Sequence, residues 1–369
     1  MHDLLRDFSI SKGNEESFLE IYSRHQVASP TSQCNKSRRL AIHGDHDLYG
    51  FLKTYASYLR PFQLFNVGYL KNGFIYKDFK LLGVLDGVPF PSQALSAVGN
   101  LIQRMYLGLS LIQVPFGLQL PRWIGKLKNL QTLKVEYSFS SKVKYNYENF
   151  QIYTYSYCFP DVIWKLKNLR HLLLHGTNPM NLRLDTLSIL RTLKCSDRSW
   201  IEEGGLACMT NLQQLKIVEL TRAILDLVVS NLERLHCLQS LSLEFRGSQP
   251  TPIGLSHFEH LHKLHLAGRI NKLPELPQNL VKLSMLYSDL EEDSIGKLER
   301  LPNLKFLFLG EGSYNRRKMV YSSEVGGRRG NDELKNLEIS RCPRLDGKDS
   351  RTIEVIDFIL LMGIGGVID

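Results

Sequence analysis

One apolar spacing, L-x-x-L-x-x-L-x-L, returns again and again between Leu127 and Ile339, and it constrains the fold more than any other feature of the chain. The clearest copies are Leu127, Leu130, Leu133 and Val135, then Leu166, Leu169, Leu172 and Leu174. Later copies end on Leu193/Cys195, Leu215/Ile217, Leu241/Leu243, Leu264/Leu266, Leu283/Met285, Leu307/Leu309 and Leu337/Ile339. Between the first members of successive terminal pairs, starting at Leu133, the steps are 39, 21, 22, 26, 23, 19, 24 and 30 residues. The final L-x-L predicts a short strand, because side chains alternate faces along a strand and both apolar groups then point one way. The earlier leucines wedge into the turn that leads to it. A single copy has nowhere to bury that face, so copies must stack and share a rod-like core. Burying one leucine contributes about 1.5–3 kcal/mol, which is largely offset by the entropy lost in ordering the chain.

Most of the steps fall in the roughly 20–29-residue period of leucine-rich repeats. The expected fold is therefore α/β: a leucine-rich-repeat solenoid, or horseshoe, with short parallel strands on its concave face, spanning residues 48–345. Residues 1–47 are expected to form a helical segment and a linker, and residues 346–369 a C-terminal cap or tail. The net charge of +9 favours acidic partners without choosing among protein, phosphate and nucleic acid. Six cysteines are scattered with no C-x-x-C pair, which predicts a reducing interior. Charge inside the first apolar run, with no small-residue cleavage site, argues against a signal peptide. The C-terminal run VIDFILLMGIGGVID is too short for a membrane span.

In chain order, Met1 to about Tyr22 reads as an amphipathic helix with Leu4, Leu5 and Phe8 on one face. The polar stretch that follows, to Asp47, reads as a linker, with a short strand at Arg38 to Gly44. Irregular early copies of the repeat occur at Tyr58 to Phe65, Phe79 to Asp86 and Leu101 to Leu109. Two insertions break the period. The first, residues 136–159, holds six of the sixteen tyrosines, and Tyr153, Tyr155 and Tyr157 alternate as on a strand face. It reads either as a partner-binding ridge or as a β-hairpin at the edge of the stack. The second, residues 310–332, is glycine-rich and carries Arg316 and Arg317, which makes it a contact for phosphate or an acidic surface, or a solvated loop.

No G-x-x-x-x-G-K-[ST], G-x-G-x-x-G or nucleophile motif occurs, so an enzyme reading has no residue to support it. His257, His260, His262 and His265 scatter over different faces once the repeat frame is imposed, and no metal is expected. What remains is a surface. Residues flanking each inward pair face outward on the concave side. Those expected to meet a protein partner are Lys134, His171, Lys194, Lys216, Ser242, Lys263, His265, Lys282 and Phe308. With Glu136, Glu244 and Glu338 at the other flanking positions, five lysines against three glutamates make the stripe mildly basic.

Several stretches resemble the plant intracellular nucleotide-binding leucine-rich-repeat (NLR) disease-resistance proteins of the coiled-coil class. They are MHDLLRDF at the start, RRLAIH from Arg38, LPRWIGKLKNLQTL and IWKLKNLRHLLL in mid-chain, and LPQNLVKLSM with LPNLKFLFL near the end. The resemblance runs from Met1 to about Leu345. In that family a Met-His-Asp motif ends the nucleotide-binding region and directly precedes the repeats. The resemblance implies that residues 1–47 hold a helical remnant of that region. It likewise implies that His2 senses the phosphate of a bound nucleotide with Asp3 beside it, and that ADP or ATP belongs only to a full-length relative. No cofactor is expected for these residues alone. The implied function is a non-enzymatic recognition module of plant innate immunity. It would work in the cytoplasm and bind a pathogen effector, a guarded host protein or an NLR nucleotide-binding domain, with no nucleic acid as partner. Two other readings are a fragment of a full-length ADP/ATP-switching ATPase, and a substrate adapter for ubiquitin ligation, for which the first fifty or so residues match an F-box-like segment poorly.

Overall fold

The computed structural model describes residues 12, 15–16, 20–23, 38–43, 57–65, 79, 81–90, 105–112, 121–138, 155–158, 162–175, 177–180, 182–195, 199–202, 204–245, 254–291, 293–298, 300–313 and 336–339. The chain divides into two compact units, residues 1–190 with 195–200, and residues 191–194 with 201–369.

Each repeat is built from the same three local pieces. The L-x-x-L segment is a tight turn closed by an i to i+3 bond: Leu130 N–H donates to Leu127 O at 3.0 Å, Leu169 to Leu166 at 2.9 Å, Leu238 to Leu235 at 3.0 Å. Both leucines of each turn are buried, while the residues between them, such as Lys128 and Asn129, are exposed. Next, one carbonyl ahead of most of the described strands accepts two N–H groups from the following repeat. Gln239 and Ser240 both donate to Gln213 O, His262 and Lys263 to Gln239 O, and Val281 and Lys282 to His262 O. The strand then follows with its two apolar residues inward. Asparagine at the second exposed turn position adds a lateral bond. Asn168 Nδ2 donates to Lys128 O at 2.9 Å, Asn279 Nδ2 to Glu259 O at 2.8 Å and Asn303 Nδ2 to Gln278 O at 3.1 Å.

In the first unit, seven strands follow one another in parallel: β1 (Glu20–Ser23), β2 (Leu40–His43), β3 (Pro61–Phe65), β4 (Val84–Phe90), β5 (Tyr106–Ile112), β6 (Thr132–Ser138) and β8 (His171–His175). A separate pair, β7 (Tyr155–Cys158) and β9 (Thr177–Met180), is also parallel. The inward pairs Leu107/Leu109, Leu133/Val135 and Leu172/Leu174 are all buried. The irregular early copies thus supply strands β3, β4 and β5, as their degraded spacing predicts.

One expectation for this unit is corrected. The helix read through Tyr22 gives way to β1 at Glu20, which pairs with β2 from Glu20↔Leu40 to Ser23↔His43. Isoleucine and tyrosine in EIYS favour an extended chain, and the neighbouring strand supplies the hydrogen bonds that a helix would otherwise make for itself. The parallel stack therefore begins inside the segment expected to be helix and linker. Within the tyrosine-rich insertion, residues 139–154, where a hairpin would close, lie outside the described residues. β7 runs parallel to β9, with β8 between them in sequence.

β10 (Thr192–Cys195) gives Thr192–Lys194 to the second unit and Cys195 to the first. In the second unit, β11 (Gln214–Leu220), β12 (Ser240–Phe245), β13 (Lys263–Ala267), β14 (Lys282–Leu286), β15 (Phe306–Leu309) and β16 (Asn336–Ile339) pair in parallel and in order. Between β11 and β12 the helix α1 (Arg222–Leu232) closes the longer repeat, burying Ile224, Leu225, Val228 and Leu232 along one face. A shorter helix, α2 (Asp293–Leu298), sits between β14 and β15. The buried hydroxyl of Ser313 donates to Met285 O at 2.7 Å, a carbonyl that also accepts the Gly310 N–H at 2.8 Å. Among the described residues no helix is long and apolar enough to cross a membrane. Leu4, Leu5, Phe8 and residues 346–369 lie outside the described residues.

These roles predict a graded response along β14 and the turn before it. Leu283→Ala should cost about 2–5 kcal/mol, Asn279→Ala about 0.5–1.5 kcal/mol, and Lys282→Ala should stay within about 0.5 kcal/mol. Urea unfolding midpoints of the three variants check the order.

Candidate protein-binding surface

Because side chains alternate, the residues between the buried pairs of each strand share the open face of the sheet, and the parallel register lines them up in rows. In the first unit the rows are Tyr106, Thr132 and His171; Gly108, Lys134 and Leu173; and Ser110, Glu136 and His175. In the second they are Gln214, Ser240, Lys263, Lys282 and Phe306, and Lys216, Ser242, His265, Ser284 and Phe308; Ala267, in register between Glu244 and Leu286, is buried. Eight of the nine expected surface residues occupy these rows, and Lys194 takes the equivalent place in β10.

The rows differ in chemistry from an evenly basic stripe. Lys134 Nζ meets Glu136 Oε2 at 2.7 Å, and Lys216 Nζ pairs with Glu244 Oε1. Burial pulls the Lys134 amine down, but its bond to Glu136 and the charges of Asp86 and Glu136 outweigh that and hold it above its ordinary value. Two of the five lysines are thereby neutralised, and the exposed positive charge concentrates at Lys263 and Lys282, which face each other in register.

A polar cluster in the first unit rests on a glycine. β4 bulges after Leu85, and Gly87, at φ +70°, supplies the turn of backbone that L-residues resist. Asp86 Oδ1 accepts the Gly87 N–H at 2.9 Å, and its carboxylate leans over Gly108, where a Cβ would collide with it. Beyond Gly108 in the same row stands Lys134. The Tyr106 phenol is raised far above its ordinary value, first by burial and then by the charge and hydrogen bond of Asp86, so it stays a neutral donor to that carboxylate. Sequence reading passed over Asp86, Tyr106 and Gly108, which lie in the irregular early copies where the leucine spacing gives no frame.

In the second unit His265 Nδ1 lies 3.0 Å from Ser284 Oγ. Burial lowers the imidazole below its ordinary 6.5; the nearby Glu244 opposes that shift and Lys216 adds to it. His265 is therefore neutral at pH 7 and available as a hydrogen-bonding group. The other three histidines of that run, His257, His260 and His262, are exposed in the turn and strand approach before β13. Among the described residues no three His, Cys, Asp or Glu side chains converge to hold a metal.

A different cationic cluster occupies the turns of the first unit. Lys165 and Lys167 lie 5.3 and 5.7 Å from the centre of the Trp164 ring, and the Arg183 guanidinium 5.4 Å. Asp185 meets Arg183 at 3.5 Å. Tyr155 and Tyr157 take alternate positions in β7, whereas Tyr153, Arg316, Arg317, His2 and Asp3 fall outside the described residues.

Two outcomes test this geometry. Gly108→Ala should cost about 1–3 kcal/mol by overpacking against Asp86, and adding Asp86→Ala should recover part of the loss, read from thermal unfolding of the single and double variants. For His265, the folded pKa lies below the unfolded one. Its contribution is therefore fully present above pH 6.5, declines as pH falls below 6.5, and levels off below the folded value. The wild type should lose stability more steeply below pH 6.5 than His265→Gln.

A family model described as a leucine-rich repeat region matches residues 70–344. The chain is 28% identical over 364 residues to disease resistance protein RPP8 of Arabidopsis thaliana, covering 94% of this chain and 38% of that protein. It is 27% identical over 344 residues to probable disease resistance protein RXW24L of the same plant, covering 88% and 36%. The chain thus spans less than two fifths of the length of these curated relatives. Among solved structures, the LRR protein LIC12759 of Leptospira interrogans matches 84% of this chain and 89% of that one at 16% identity and a TM-score of 0.38. By its repeats the chain belongs to the leucine-rich-repeat family, and the curated relatives it is similar to are plant disease-resistance proteins.

Proposed function

We propose that the chain is a non-enzymatic recognition module of plant defence, working in the cytoplasm and binding a pathogen effector or a host protein through the open face of its strands. The observation that carries this reading is the register itself. It aligns unlike, part-exposed side chains such as Lys216, Ser242, His265, Ser284 and Phe308 on adjacent strands, while the residues between them are committed to the core. Such a face is free to vary without cost to folding, and repeat proteins bind partners on extended surfaces of this kind. The reading needs no cofactor.

A second reading is motivated by the 38% of RPP8 that the chain spans and by the Met1-His2-Asp3 motif. In it the same repeats hold a nucleotide-binding domain as part of a longer switching protein. His2 and Asp3 lie outside the described residues and the sequence carries no phosphate loop, so no step of this reading runs through nucleotide. Transcript sequence upstream of Met1 with an in-frame G-x-x-x-x-G-K-[ST] would favour it.

The first reading is tested in leaf tissue with the tagged full chain and a Ser242→Trp variant, which fills the middle of the row between Lys216 and His265. Quantitative mass spectrometry of infected tissue should show at least one pathogen or host protein retained about tenfold less by the variant, the loss of roughly 1.4 kcal/mol of binding. Identical sets retained by both proteins would count against binding at this face.

A further inference from the structure

We propose that the open face of β13, β14 and β15 is a docking site for an acidic peptide segment with an aromatic or bulky apolar anchor, presented in extended form by a partner protein. The inference rests on the protein-recognition reading and narrows its partner. Three observations converge in consecutive register positions. First, Lys263 and Lys282 are directly opposite one another on neighbouring strands and both are exposed. Adjacent strands lie about 4.8 Å apart, and like charges directly opposite are unfavourable unless something anionic sits over them. Among the described residues neither amine meets a carboxylate at ion-pair distance, whereas Lys216 on the same face has a glutamate.

Second, the next residue in that row is Phe306, a phenylalanine left 40% exposed on a strand that has a core to bury it in. Phe308, in the adjoining row, lies with its ring edge over Gly310, beside Leu286. A cationic pair therefore runs straight into an apolar platform within one row of the sheet. Third, the flanking groups are polar and neutral: Ser284 and the uncharged His265 offer hydrogen bonds without adding charge. A segment laid across the strands can thus place carboxylates on Lys263 and Lys282 and a ring or branched side chain on Phe306 and Phe308.

A nucleic acid fits less well. Sequence-independent binding of its backbone draws on many phosphate contacts. Here, among the described residues of β11 to β15, two exposed strand lysines lack a carboxylate partner, Lys216 is paired with Glu244, and Glu338 is at the register position beside Phe308.

The test is selection of a random peptide display library on the full chain, run in parallel on Lys263→Glu/Lys282→Glu and on Phe306→Ala, with Lys263→Gln/Lys282→Gln as a milder partner should charge reversal disturb folding. Peptides enriched by the wild type should combine Asp or Glu with Phe, Trp or Leu. A synthetic peptide of the enriched sequence should bind at least about tenfold more weakly to the charge variants and to Phe306→Ala, and more weakly as salt rises. Enriched peptides without acidic bias, or binding that survives the Lys263 and Lys282 substitutions, would overturn the site and leave protein recognition elsewhere on the chain standing. No enrichment by the wild type over the variants would count against both. A fluorescent single-stranded oligonucleotide that binds in a Lys263- and Lys282-dependent way, more tightly than the peptide, would overturn the peptide assignment.

Discussion

Ahead of most of the described strands, one carbonyl of the preceding repeat accepts two N–H groups of the next. Gly83 O accepts both Met105 and Tyr106, Met105 O accepts Gln131 and Thr132, Gln131 O accepts Arg170 and His171, and the pattern continues from Gln213 O to Val281 O in the second unit. A backbone acceptor has two lone pairs, and using both at this point sets the height and the register of the next strand together. The register then determines which residues enter the core. A slip by one position would turn Leu283 and Met285 outward and bring Lys282 and Ser284 inward, so the apolar pairs and the doubled bond enforce the same alignment.

From that constraint follows a division of labour within every strand. Leu264, Leu266, Leu283 and Met285 are buried, whereas Lys263, His265, Lys282 and Ser284, which alternate with them, are part-exposed or exposed. The same separation holds for charge. Lysines next to a glutamate on the open face, such as Lys216 beside Glu244, are absorbed into ion pairs that contribute little to stability at a solvated surface. What is left is local: two facing lysines and two phenylalanines on β13 to β15 in the second unit, and a polar cluster around Asp86, Tyr106 and Lys134 in the first. In each unit the open face carries a chemically distinct patch and not a uniform field.

Much of the fold is legible in the sequence because the leucine spacing is read by a local rule, and the inward and outward positions follow from it residue by residue. The asparagine in KNL, QNL and PNL is equally visible in the sequence, but its role as a lateral donor to the preceding turn needs the stacking distance, which no single repeat contains. Asp86 and Gly108 belong to different repeats, and only the bulge at Gly87 brings the carboxylate over the glycine. The strand at Glu20 was obscured because helical spacing upstream outweighed a short extended segment whose hydrogen-bond partner lies twenty residues away. The ion pair of Lys216 with Glu244 joins neighbouring strands, so counting charges along the chain overstates the basic character of the face.

The central claim is that partners engage the strand face and not the turns. Lysine-reactive crosslinking of the tagged full chain in infected leaf tissue, read by mass spectrometry, separates the two, because lysines mark both surfaces. The account predicts crosslinks to a partner protein from the strand lysines Lys194, Lys216, Lys263 and Lys282. Crosslinks confined to the turn lysines Lys126, Lys128, Lys165 and Lys167 would contradict it.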